Sequence, residues 1–533
     1  MEVMNPRSWL LMIGTGCISA KYAELAAPED SGATPITPKW ELTQSPPSGC
    51  ENPTTEPTFV EQGLALGLEE EHIDTDAPQG HVDGPSLALA DIEGDGHLEL
   101  AVLRMENGDS ILYRGVESGF AAHPGTVYPG RAGLFADADE DGDLDLLVGG
   151  LTPVWLSFNP GGTWEQEAWP ALDPPEEQET RSLVHDLSLG DFDLDGHDDV
   201  YVVRTAVPFG DGVARNDRVL RLGSDGLRID RSLVPEEVGL RHGFDAITFD
   251  EDGDGDLDTY LVHDHGATVG PSTLLSNNGG QFEDATDTCF CSLQVSAKGV
   301  DLADINGDGQ PELLVTGAPL NHLLSRDETG WIDISDTSGI REGVSTAAGW
   351  GGTFLDIDND GARDILLVQG DRWNPGEVIL PDGTEARFDE PIHLLRQTDG
   401  QFQDVASSLG LSAEGSFRAV LAADLNKDGV QDMLITQVSG RTLAYMSTGC
   451  TQANWIAVDA PIGAKVTVYA GEAQHTDWSR VSRGYQSTAR IPLHFGLGQE
   501  AQVDEVTIDF PGGTSQTFSG PFPARQTLTI SRL

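Results

Sequence analysis

The chain has 533 residues, and its 88 Asp and Glu against 30 Lys and Arg give a formal net charge of −58 at pH 7. This charge excludes an ordinary nucleic-acid binder, because such a protein needs a basic face that displaces counterions from phosphates. It also predicts repulsion from anionic membranes; attraction for cationic partners and simple solubility are alternative interpretations.

The first 17 residues predict an export signal. Arg7 precedes an apolar run at 8–13, and Gly14-Thr-Gly leads to Cys17. This order is typical of a bacterial lipoprotein signal with Cys17 as the lipidated residue; an ordinary secretory signal and an accidental apolar start are the alternatives. Residues 18–57 are rich in Pro, Glu, Ser and Thr and predict a disordered tether. No later stretch has the ~20 apolar residues of a membrane span, so membrane attachment is expected only through the lipid.

A strand-like arm at Phe59-Val-Glu61 follows the tether and runs to Gly67-Leu68. Similar arms, most of which begin with an aromatic residue, recur later in the chain. They begin at Trp164, Phe282, Trp331 and Phe402, with weaker versions at Phe120 and Leu227.

A nine-residue motif, acid-x-acid/Asn-x-Asp-Gly-x-x-acid, occurs seven times and is followed each time by a short apolar run. We number the copies loops 1 to 7: Asp91–Glu99, Asp137–Asp145, Asp191–Asp199, Asp250–Asp258, Asp304–Glu312, Asp356–Asp364 and Asp424–Asp432. Positions 1, 3, 5 and 9 supply oxygens of the kind that Ca²⁺ prefers, and Gly at position 6 permits the backbone reversal.

The motif therefore predicts up to seven structural calcium ions. The predicted ligands are Asp91, Glu93, Asp95 and Glu99; Asp137, Asp139, Asp141 and Asp145; Asp191, Asp193, Asp195 and Asp199; Asp250, Asp252, Asp254 and Asp258; Asp304, Asn306, Asp308 and Glu312; Asp356, Asp358, Asp360 and Asp364; and Asp424, Asn426, Asp428 and Asp432. The simpler alternative is that Asp, Asn and Gly only build turns. Seven acidic copies in register argue against it, because clustered carboxylates repel unless a cation offsets them.

The loops do not belong to EF-hands. Position 12, where an EF-hand carries a bidentate Glu, is apolar in all seven copies, as at Val102 and Val148. The β-branched and aliphatic run after each loop predicts a strand instead. We expect the weaker sites where Glu replaces Asp, at Glu93, Glu99 and Glu312, and in loop 7, which contains Lys427.

The spacing of the loops predicts an all-β fold. Their first residues lie 46 apart at the closest (Asp91 to Asp137) and 68 apart at the widest (Asp356 to Asp424), which suits a four-stranded blade. We predict a seven-bladed β-propeller in which the arm at Phe59 completes the last blade, because ring closure removes free sheet edges.

These residues resemble the FG-GAP/VCBS type of repeat, which is familiar from the integrin α-subunit propeller. The resemblance covers Phe59 to about Ser447, and we place the propeller at 58–450. It implies structural calcium in the acidic loops and blades stacked around a central channel.

The rest of the chain, 451–533, predicts a second, small β-rich domain. It resembles the ASPIC/UnbV domain found at the C-terminus of proteins similar to cartilage acidic protein. The matching residues are Ile462-Gly-Ala-Lys-Val466, Ser482-Arg-Gly-Tyr485, His494-Phe-Gly-Leu-Gly498, Val503-Asp504 and Pro511-Gly-Gly513.

If Cys17 carries lipid, four cysteines remain and allow three pairings. A bridge between Cys50 and Cys450 would pin the N-terminal arm to the last blade. Cys289-Phe-Cys291 is also consistent with a soft-metal or redox pair, although a lone Cys-x-Cys is a weak signal.

The sequence predicts a calcium-stabilised, extracellular or cell-surface binding module for a protein or a glycan, on an outer-membrane lipoprotein or a secreted chain. No catalytic residue is identified. The alternatives are a hydrolase or polysaccharide-active enzyme at the channel mouth, and a scaffold whose tail performs the recognition. His263-Asp-His265 is the nearest approach to a catalytic metal cluster, with a polar strand end as the simpler explanation.

The tail concentrates cationic and histidine side chains. They are Arg480, Arg483, Arg490, His475 and His494. They are expected either to bind an anionic glycan or acidic partner, or to balance the charge of the propeller. The sequence does not decide the oligomeric state.

Overall fold

The structure, a computed structural model, describes residues 39–50, 53–73, 84–104, 110–123, 129–150, 154–159, 163–169, 182–206, 217–224, 226–230, 233–234, 243–264, 266, 270–327, 329–344, 347–370 and 389–533. The predicted signal, Cys17 and residues 18–38 of the predicted tether lie outside this part. The chain divides into a large unit, Glu41–Ser531, and a small one, Met1–Trp40 with Arg532–Leu533. In the small unit, Leu533 N donates to Lys39 O at 2.8 Å. The larger unit contains the sheets and loops that follow.

Three short strands precede the repeating part of the fold. They are β1 (Trp40–Gln44), β2 (Phe59–Glu61) and β3 (Glu71–Ile73). Four antiparallel sheets of similar design then follow in chain order. Sheet 1 contains β4 (Ser86–Ala90), β5 (Glu99–Leu103), β6 (Ile111–Val116) and β7 (Gly119–Ala122), and sheet 2 contains β8 (Ala132–Ala136), β9 (Asp145–Gly149), β10 (Val154–Asn159) and β11 (Thr163–Ala168). Sheet 3 contains β12 (Ser182–Gly190), β13 (Asp199–Ala206), β14 (Arg218–Arg221) and β15 (Arg228–Asp230), and sheet 4 contains β16 (Gly243–Phe249), β17 (Asp258–His263), β18 (Thr273–Asn277) and β19 (Phe282–Asp284).

Three more sheets repeat the design, and two four-residue helices lie between them. After α1 (Thr286–Cys289), sheet 5 contains β20 (Ser296–Ala303), β21 (Glu312–Ala318), β22 (His322–Asp327) and β23 (Gly330–Asp333). After α2 (Ser335–Ser338), sheet 6 contains β24 (Ala348–Leu355), β25 (Asp364–Gly370), β27 (His393–Thr398) and β28 (Gln401–Asp404), while β26 (Glu390–Pro391) pairs with β29 (Glu414–Gly415). Sheet 7 contains β30 (Phe417–Ala423), β31 (Asp432–Gln437), β33 (Leu443–Ser447) and the early strand β2, and β32 (Ser439–Arg441) pairs with β3.

Among the side chains whose burial the structure describes, the first strand of a sheet is buried and the fourth strand is partly exposed. Strands such as β4 and β24 are buried at every position, which fits their continuous small and apolar sequences. In the fourth strand β28, Phe402 is buried between exposed neighbours. The predicted aromatic arms occupy this fourth position, since Phe120, Phe282 and Trp331 lie on β7, β19 and β23.

The N-terminal arm pairs where the sequence predicted. Phe59–Glu61 runs antiparallel to β33, with Phe59 opposite Ser447 and Glu61 opposite Tyr445. Phe59 is 3% exposed and packs in the core cluster that joins sheets 6 and 7. A strand from the start of the repeats thus completes the last sheet.

Consecutive sheets share hydrophobic cores. Sheets 1 and 2 meet through Ala88 and Leu146, for example, and sheets 5 and 6 through Leu314 and Leu367. The last and the first sheets also share a core, in which Leu421 packs with Leu87. Burial between neighbouring sheets therefore runs through the whole set of seven in the described part of the chain.

The C-terminal part forms two further sheets. One contains β1, β41 (Thr527–Arg532), β34 (Asn454–Asp459) and β38 (Leu493–Gly498), and the other contains β36 (Ala473–Trp478), β35 (Lys465–Ala470), β39 (Gln502–Phe510) and β40 (Thr514–Pro523). A remaining strand, β37 (Ser487–Arg490), leaves these sheets and pairs in parallel with β4 of sheet 1.

The prediction of a disordered tether over 18–57 is wrong at residues 40–44, which form β1. The backbone next to β1 is fixed by the tail, since Ser45 N donates to Thr527 O at 2.9 Å and Ser48 N to Arg525 O at 2.7 Å. Partners more than 470 residues away in the sequence order this segment, so its local composition could not reveal the strand.

Candidate metal centres

The seven acidic loops occupy equivalent places in the fold. Each begins directly after the first strand of its sheet, and its ninth residue begins the second strand, as Asp137 follows β8 and Asp145 opens β9. Two well-packed strands therefore hold both ends of every loop. The structure confirms the prediction that the loops lead into strands.

The loops share one internal hydrogen-bond pattern. In loop 6, Asp356 accepts the amides of Asp360 (3.2 Å) and Gly361 (2.9 Å), and Asp364 accepts the amide of Ile357 (3.0 Å). These are the bonds that the turn interpretation requires, so turn formation alone accounts for part of the acidic pattern.

Four loops gather their carboxylates closely enough to share one cation. One oxygen from each residue of the following groups lies within 4.8 Å of the others: Asp137, Asp139 and Asp145; Asp191, Asp193 and Asp199; Asp250, Asp252 and Asp254; and Asp356, Asp358 and Asp360. Ca²⁺ binds oxygens at about 2.3–2.6 Å, so two ligands of one ion lie no more than about 5 Å apart. The residues present therefore fit a calcium ion in loops 2, 3, 4 and 6.

Negative charge in the loops is poorly compensated by the protein. Burial, together with the neighbouring Asp250 and Asp252, raises the pKa of Asp258 to about 8. Burial, together with Asp360, raises the pKa of Asp356 to about 7. A bound cation would oppose both causes, because it stabilises the ionised carboxylates.

Arginine side chains enter some loops, which sequence reasoning did not foresee. Arg221 Nη1 lies 2.5 Å from Asp199 and 3.0 Å from Asp193 in loop 3, so a guanidinium already neutralises two predicted ligands there. Arg114 pairs with Glu93 in loop 1. In loop 4, by contrast, Arg326 pairs at 3.0 Å with Glu251, which is not a predicted ligand. The basic partners lie on third strands, at no fixed distance from the motif.

In loops 1 and 5, the Glu side chains that replace Asp accept hydrogen bonds from other groups of the protein. Glu99 of loop 1 accepts the amides of Ile92 (2.8 Å) and Gly115 (3.1 Å). In loop 5, Glu312 accepts Asn306 Nδ2 and Ser325 Oγ, both at 2.8 Å. These loops and loop 7 are absent from the close carboxylate groups of the described residues.

The C-terminal sheets lie against loops 4 to 7. Gly512 N donates to Gly255 O of loop 4 at 2.8 Å, and Lys465 Nζ donates to Gly309 O of loop 5 at 2.6 Å. A Cβ added to Gly429 of loop 7 would lie 1.8 Å from Trp455 Nε1. Gly429 at position 6 thus serves two needs, a positive φ and a close approach of the tail.

Loop 6 is tied to the tail by side chains as well. Arg363 donates to His494 O (2.8 Å) and to Asp477 (3.0 Å), and His494 Nε2 lies 2.6 Å from Asn359 Oδ1. Burial and the nearby Arg363 lower the pKa of His494 to about 3, so this imidazole is neutral.

A hairpin of the tail, Arg480–Arg490, lies among the first strands of all seven sheets. We call it the central hairpin. Its strand β37 pairs with β4; its side chains bond to Gly133 O of β8, Leu187 O of β12, Asp301 of β20 and Val420 N of β30; and Tyr485 contacts Phe244 of β16 and Trp350 of β24.

Arg480 anchors the central hairpin through buried carboxylates. Its guanidinium donates to Asp301 at 2.8 and 3.0 Å and to Asp477 at 2.7 Å, and all three side chains are buried. Burial alone would raise the pKa of Asp477, but Arg480 and Arg363 hold it below its ordinary value. The tail residue Arg480 therefore balances acids of this same chain, including Asp301 of β20, which is the second of the two roles considered for the tail.

The far end of the hairpin is aromatic. Tyr485 is fully buried, with its ring centroid 5.0 Å from that of Trp350 and 6.0 Å from that of His185. His185 Nδ1 donates to Phe244 O at 2.8 Å. Burial and the nearby Arg131 hold the pKa of His185 well below its usual range.

Two disulfides are present. Cys50 is bonded to Cys450, which joins the N-terminal segment to the end of sheet 7, and Cys289 is bonded to Cys291 after α1. The Cys289–Cys291 bond leaves no free thiol pair for a soft metal. His263 is buried with Nδ1 2.8 Å from Pro271 O, while His265 lies outside the described residues. None of the helices in the described part of the chain has the length and apolarity of a membrane span.

Comparison with known proteins identifies the repeated and terminal parts. A model described as FG-GAP-like repeat matches residues 137–202, 250–315 and 356–435, and a model described as ASPIC and UnbV matches 458–532. Cartilage acidic protein 1 of Mus musculus is 22% identical over 333 residues, which are 57% of this chain and 48% of that protein. The Homo sapiens protein is 21% identical over 332 residues, 57% and 47% of the two chains. The match thus spans about half the length of these relatives.

Solved structures with some likeness include an Agrocybe aegerita lectin that recognises non-reducing terminal N-acetylglucosamine, at 15% identity and a TM-score of 0.38 over 71% of this chain and 88% of the lectin. The Dos1 propeller is 9% identical with a TM-score of 0.38, over 68% and 78% of the chains. Together, the family matches and the all-β elements show that the chain combines FG-GAP-like repeats with a C-terminal ASPIC and UnbV domain and is similar to cartilage acidic protein 1.

Proposed function

We propose that this chain is an extracellular binding module in which calcium stabilises a closed, seven-bladed propeller at about 58–450. Seven repeated sheets support the ring, since each shares a core with the next and the last shares one with the first. The C-terminal domain, about 451–533, is an integral part of this module because its central hairpin contacts every first strand. The export signal, the lipid on Cys17 and a cell-surface or secreted location belong to the same proposal.

The observation that carries the calcium proposal is the convergence of carboxylate oxygens within 4.8 Å in equivalent loops. Loops 2, 4 and 6 are the favoured sites. Loop 3 ranks below them because Arg221 contacts two of its ligands, Asp193 (3.0 Å) and Asp199 (2.5 Å), whereas in loop 6 Arg396 lies 3.4 Å from the single ligand Asp358. Loops 1, 5 and 7 rank lowest because none of them is among the close carboxylate groups of the described residues. At each site the ion would join strand ends that carry like charges.

The ligand of the module is proposed to be a glycan or a protein. Loops 1 and 2 present exposed residues such as Asp95 and Asp141, whereas the tail packs on loops 4 to 7 and reaches loop 3 through Arg490, 3.5 Å from Asp198. The enzyme alternative placed its site at the channel mouth, and the central hairpin argues against it by occupying the space between the first strands. The scaffold alternative required an independent tail, which the contacts of Arg480 and Tyr485 oppose.

A binding screen with the full chain tests the proposal. Protein saturated with calcium is applied to a glycan array and used to capture proteins from an envelope extract, and both assays are repeated in chelator below the melting temperature of the calcium-free protein. We expect a reproducible ligand whose binding weakens in chelator. If the protein binds neither a glycan nor a protein in the presence of calcium, the binding function is refuted. Turnover in a broad hydrolase screen would support an enzyme instead.

A further inference from the structure

A cavity of about 380 Å³ lies between loop 4 and the C-terminal domain. Its walls include Asp252 of loop 4, Arg326 of β22, and Lys465, Asp509 and Thr514 of the tail. Ligand sites in proteins commonly have volumes of about 300–1,000 Å³, so the cavity is large enough for a small ligand.

The walls of this cavity are fixed by contacts on both sides. Gly512 N donates to Gly255 O at 2.8 Å, and Lys465 Nζ donates to Gly309 O at 2.6 Å. Glu251 accepts Trp331 Nε1 at 2.9 Å and pairs with Arg326 at 3.0 Å. A ligand would therefore enter a preformed site and lose little free energy to ordering the protein.

The chemistry of the walls favours a ligand rich in hydroxyl groups. The carboxylate of Asp509 only accepts hydrogen bonds, whereas Lys465 and Arg326 only donate them. A hydroxyl does both, so neighbouring hydroxyls of a sugar ring match acceptors and donors placed side by side. The aromatic residues at the site, Trp478 and Phe510, are 3% and 5% exposed and offer little surface to the apolar anchor of a peptide.

Charge also discriminates among ligands. The chain as a whole carries −58, which repels polyanions and attracts cationic peptides to its open acidic loops. Around the cavity, Lys465 and Arg326 offset part of the acidic lining. A neutral polyhydroxylated molecule would therefore depend on hydrogen bonds at this place rather than on the general electrostatic field of the chain.

We infer that the cavity between loop 4 and the tail is a carbohydrate-binding site that accepts a small saccharide. The inference rests on the proposed binding function and names its ligand class and place. Asp509 and Lys465 contribute an acceptor and a donor to the sugar hydroxyls, and loop 4 forms the opposite wall.

Calorimetric titration of the full, calcium-loaded chain with a panel of free sugars tests this site. The probes are galactose, mannose, N-acetylglucosamine and galacturonic acid, each also as a disaccharide. The variants are Asp509→Asn, which keeps the shape but removes a charge-assisted acceptor, and Lys465→Met, with Glu505→Gln on the same strand as the matched control. Melting curves verify that each variant is folded.

We expect at least one sugar to bind, with affinity at least tenfold lower in Asp509→Asn and Lys465→Met and unchanged in Glu505→Gln. Binding that neither variant alters would overturn this site while leaving the general binding function intact. Absence of sugar binding combined with capture of a protein would overturn the carbohydrate class, and absence of any ligand in the array and the extract would remove both proposals.

Discussion

Replacing Arg480 with Ala removes the anchor of the central hairpin. The guanidinium donates to Asp301, to Asp477 and to the carbonyls of Leu302 (2.6 Å) and Trp478 (2.9 Å). The side chains of Asp301 and Asp477 are 0% and 6% exposed, so the variant leaves two carboxylates buried without their main cation.

The expected cost follows from this burial. Removing one partner of a buried ion pair typically destabilises a protein by about 3–5 kcal/mol. Unfolding entropy is about 2.1 cal/mol/K per residue, or roughly 1 kcal/mol/K for a unit of the size of Glu41–Ser531. If the repeats and the tail unfold together, the melting temperature of Arg480→Ala should fall by about 3–5 °C.

Urea unfolding in excess calcium, followed by tryptophan fluorescence, and scanning calorimetry measure the effect. The matched control is Arg490→Ala, because Arg490 lies 3.5 Å from Asp198 with 34% of its side chain exposed, and such surface pairs contribute about 0–1 kcal/mol. The reasoning is refuted if the two variants lose the same stability, or if the tail melts separately before the repeats in the wild type.

Three further changes probe other parts of the fold. Phe59→Ala should lower the free energy of unfolding in urea by about 3–5 kcal/mol, because Phe59 is a buried part of sheet 7. Val60→Ala, at a 49% exposed position, should lower it by less than about 0.5 kcal/mol. Equal effects of the two changes would contradict the role of the arm. Cys50→Ser should lower the free energy of unfolding by about 2–5 kcal/mol. A reductant should destabilise the wild type by breaking the Cys50–Cys450 bond, and it should cause no further loss from this bond in the variant. His185 is buried in its neutral form, so below about pH 6.5 only the unfolded chain takes up a proton at this residue. The free energy of unfolding should therefore decrease as the pH is lowered, by up to about 1.4 kcal/mol per pH unit from this group. His185→Gln should reduce that slope between about pH 6.5 and 5, and an unchanged slope would count against a neutral His185.

Sequence reasoning succeeded where the determining contacts repeat locally. The nine-residue spacing of an acidic loop places both of its ends on adjacent strands, so Asp137 and Asp145 could be positioned without a structure. The arm at Phe59 could be assigned to the last sheet because seven loops required seven arms. Periodicity made both features visible.

Contacts that depend on distant partners were not visible. Arg221 reaches loop 3 from a third strand, and nothing in the motif marks the arginine that neutralises Asp193. Arg480 and Asp301 are 179 residues apart, so the sequence left the tail cations open between an external anion and an internal balance. Residues 40–44 likewise became a strand through a remote segment of the tail.

Calcium titration of the full chain tests the central claim most directly. Protein stripped with chelator is analysed for bound metal, titrated with Ca²⁺ by calorimetry, and melted at each calcium concentration. The variant is Asp254→Asn in loop 4, and the control is Asp287→Asn on the exposed surface of α1. A site filled at 100 times its Kd adds about 2.7 kcal/mol, so loops 2, 4 and 6 together should add about 8 kcal/mol and, at roughly 1 kcal/mol/K, raise the melting temperature by about 8 °C. The account predicts this rise, reduced by about one third in Asp254→Asn alone. The same melting curve with and without calcium, and no calcium in the purified protein, would contradict it.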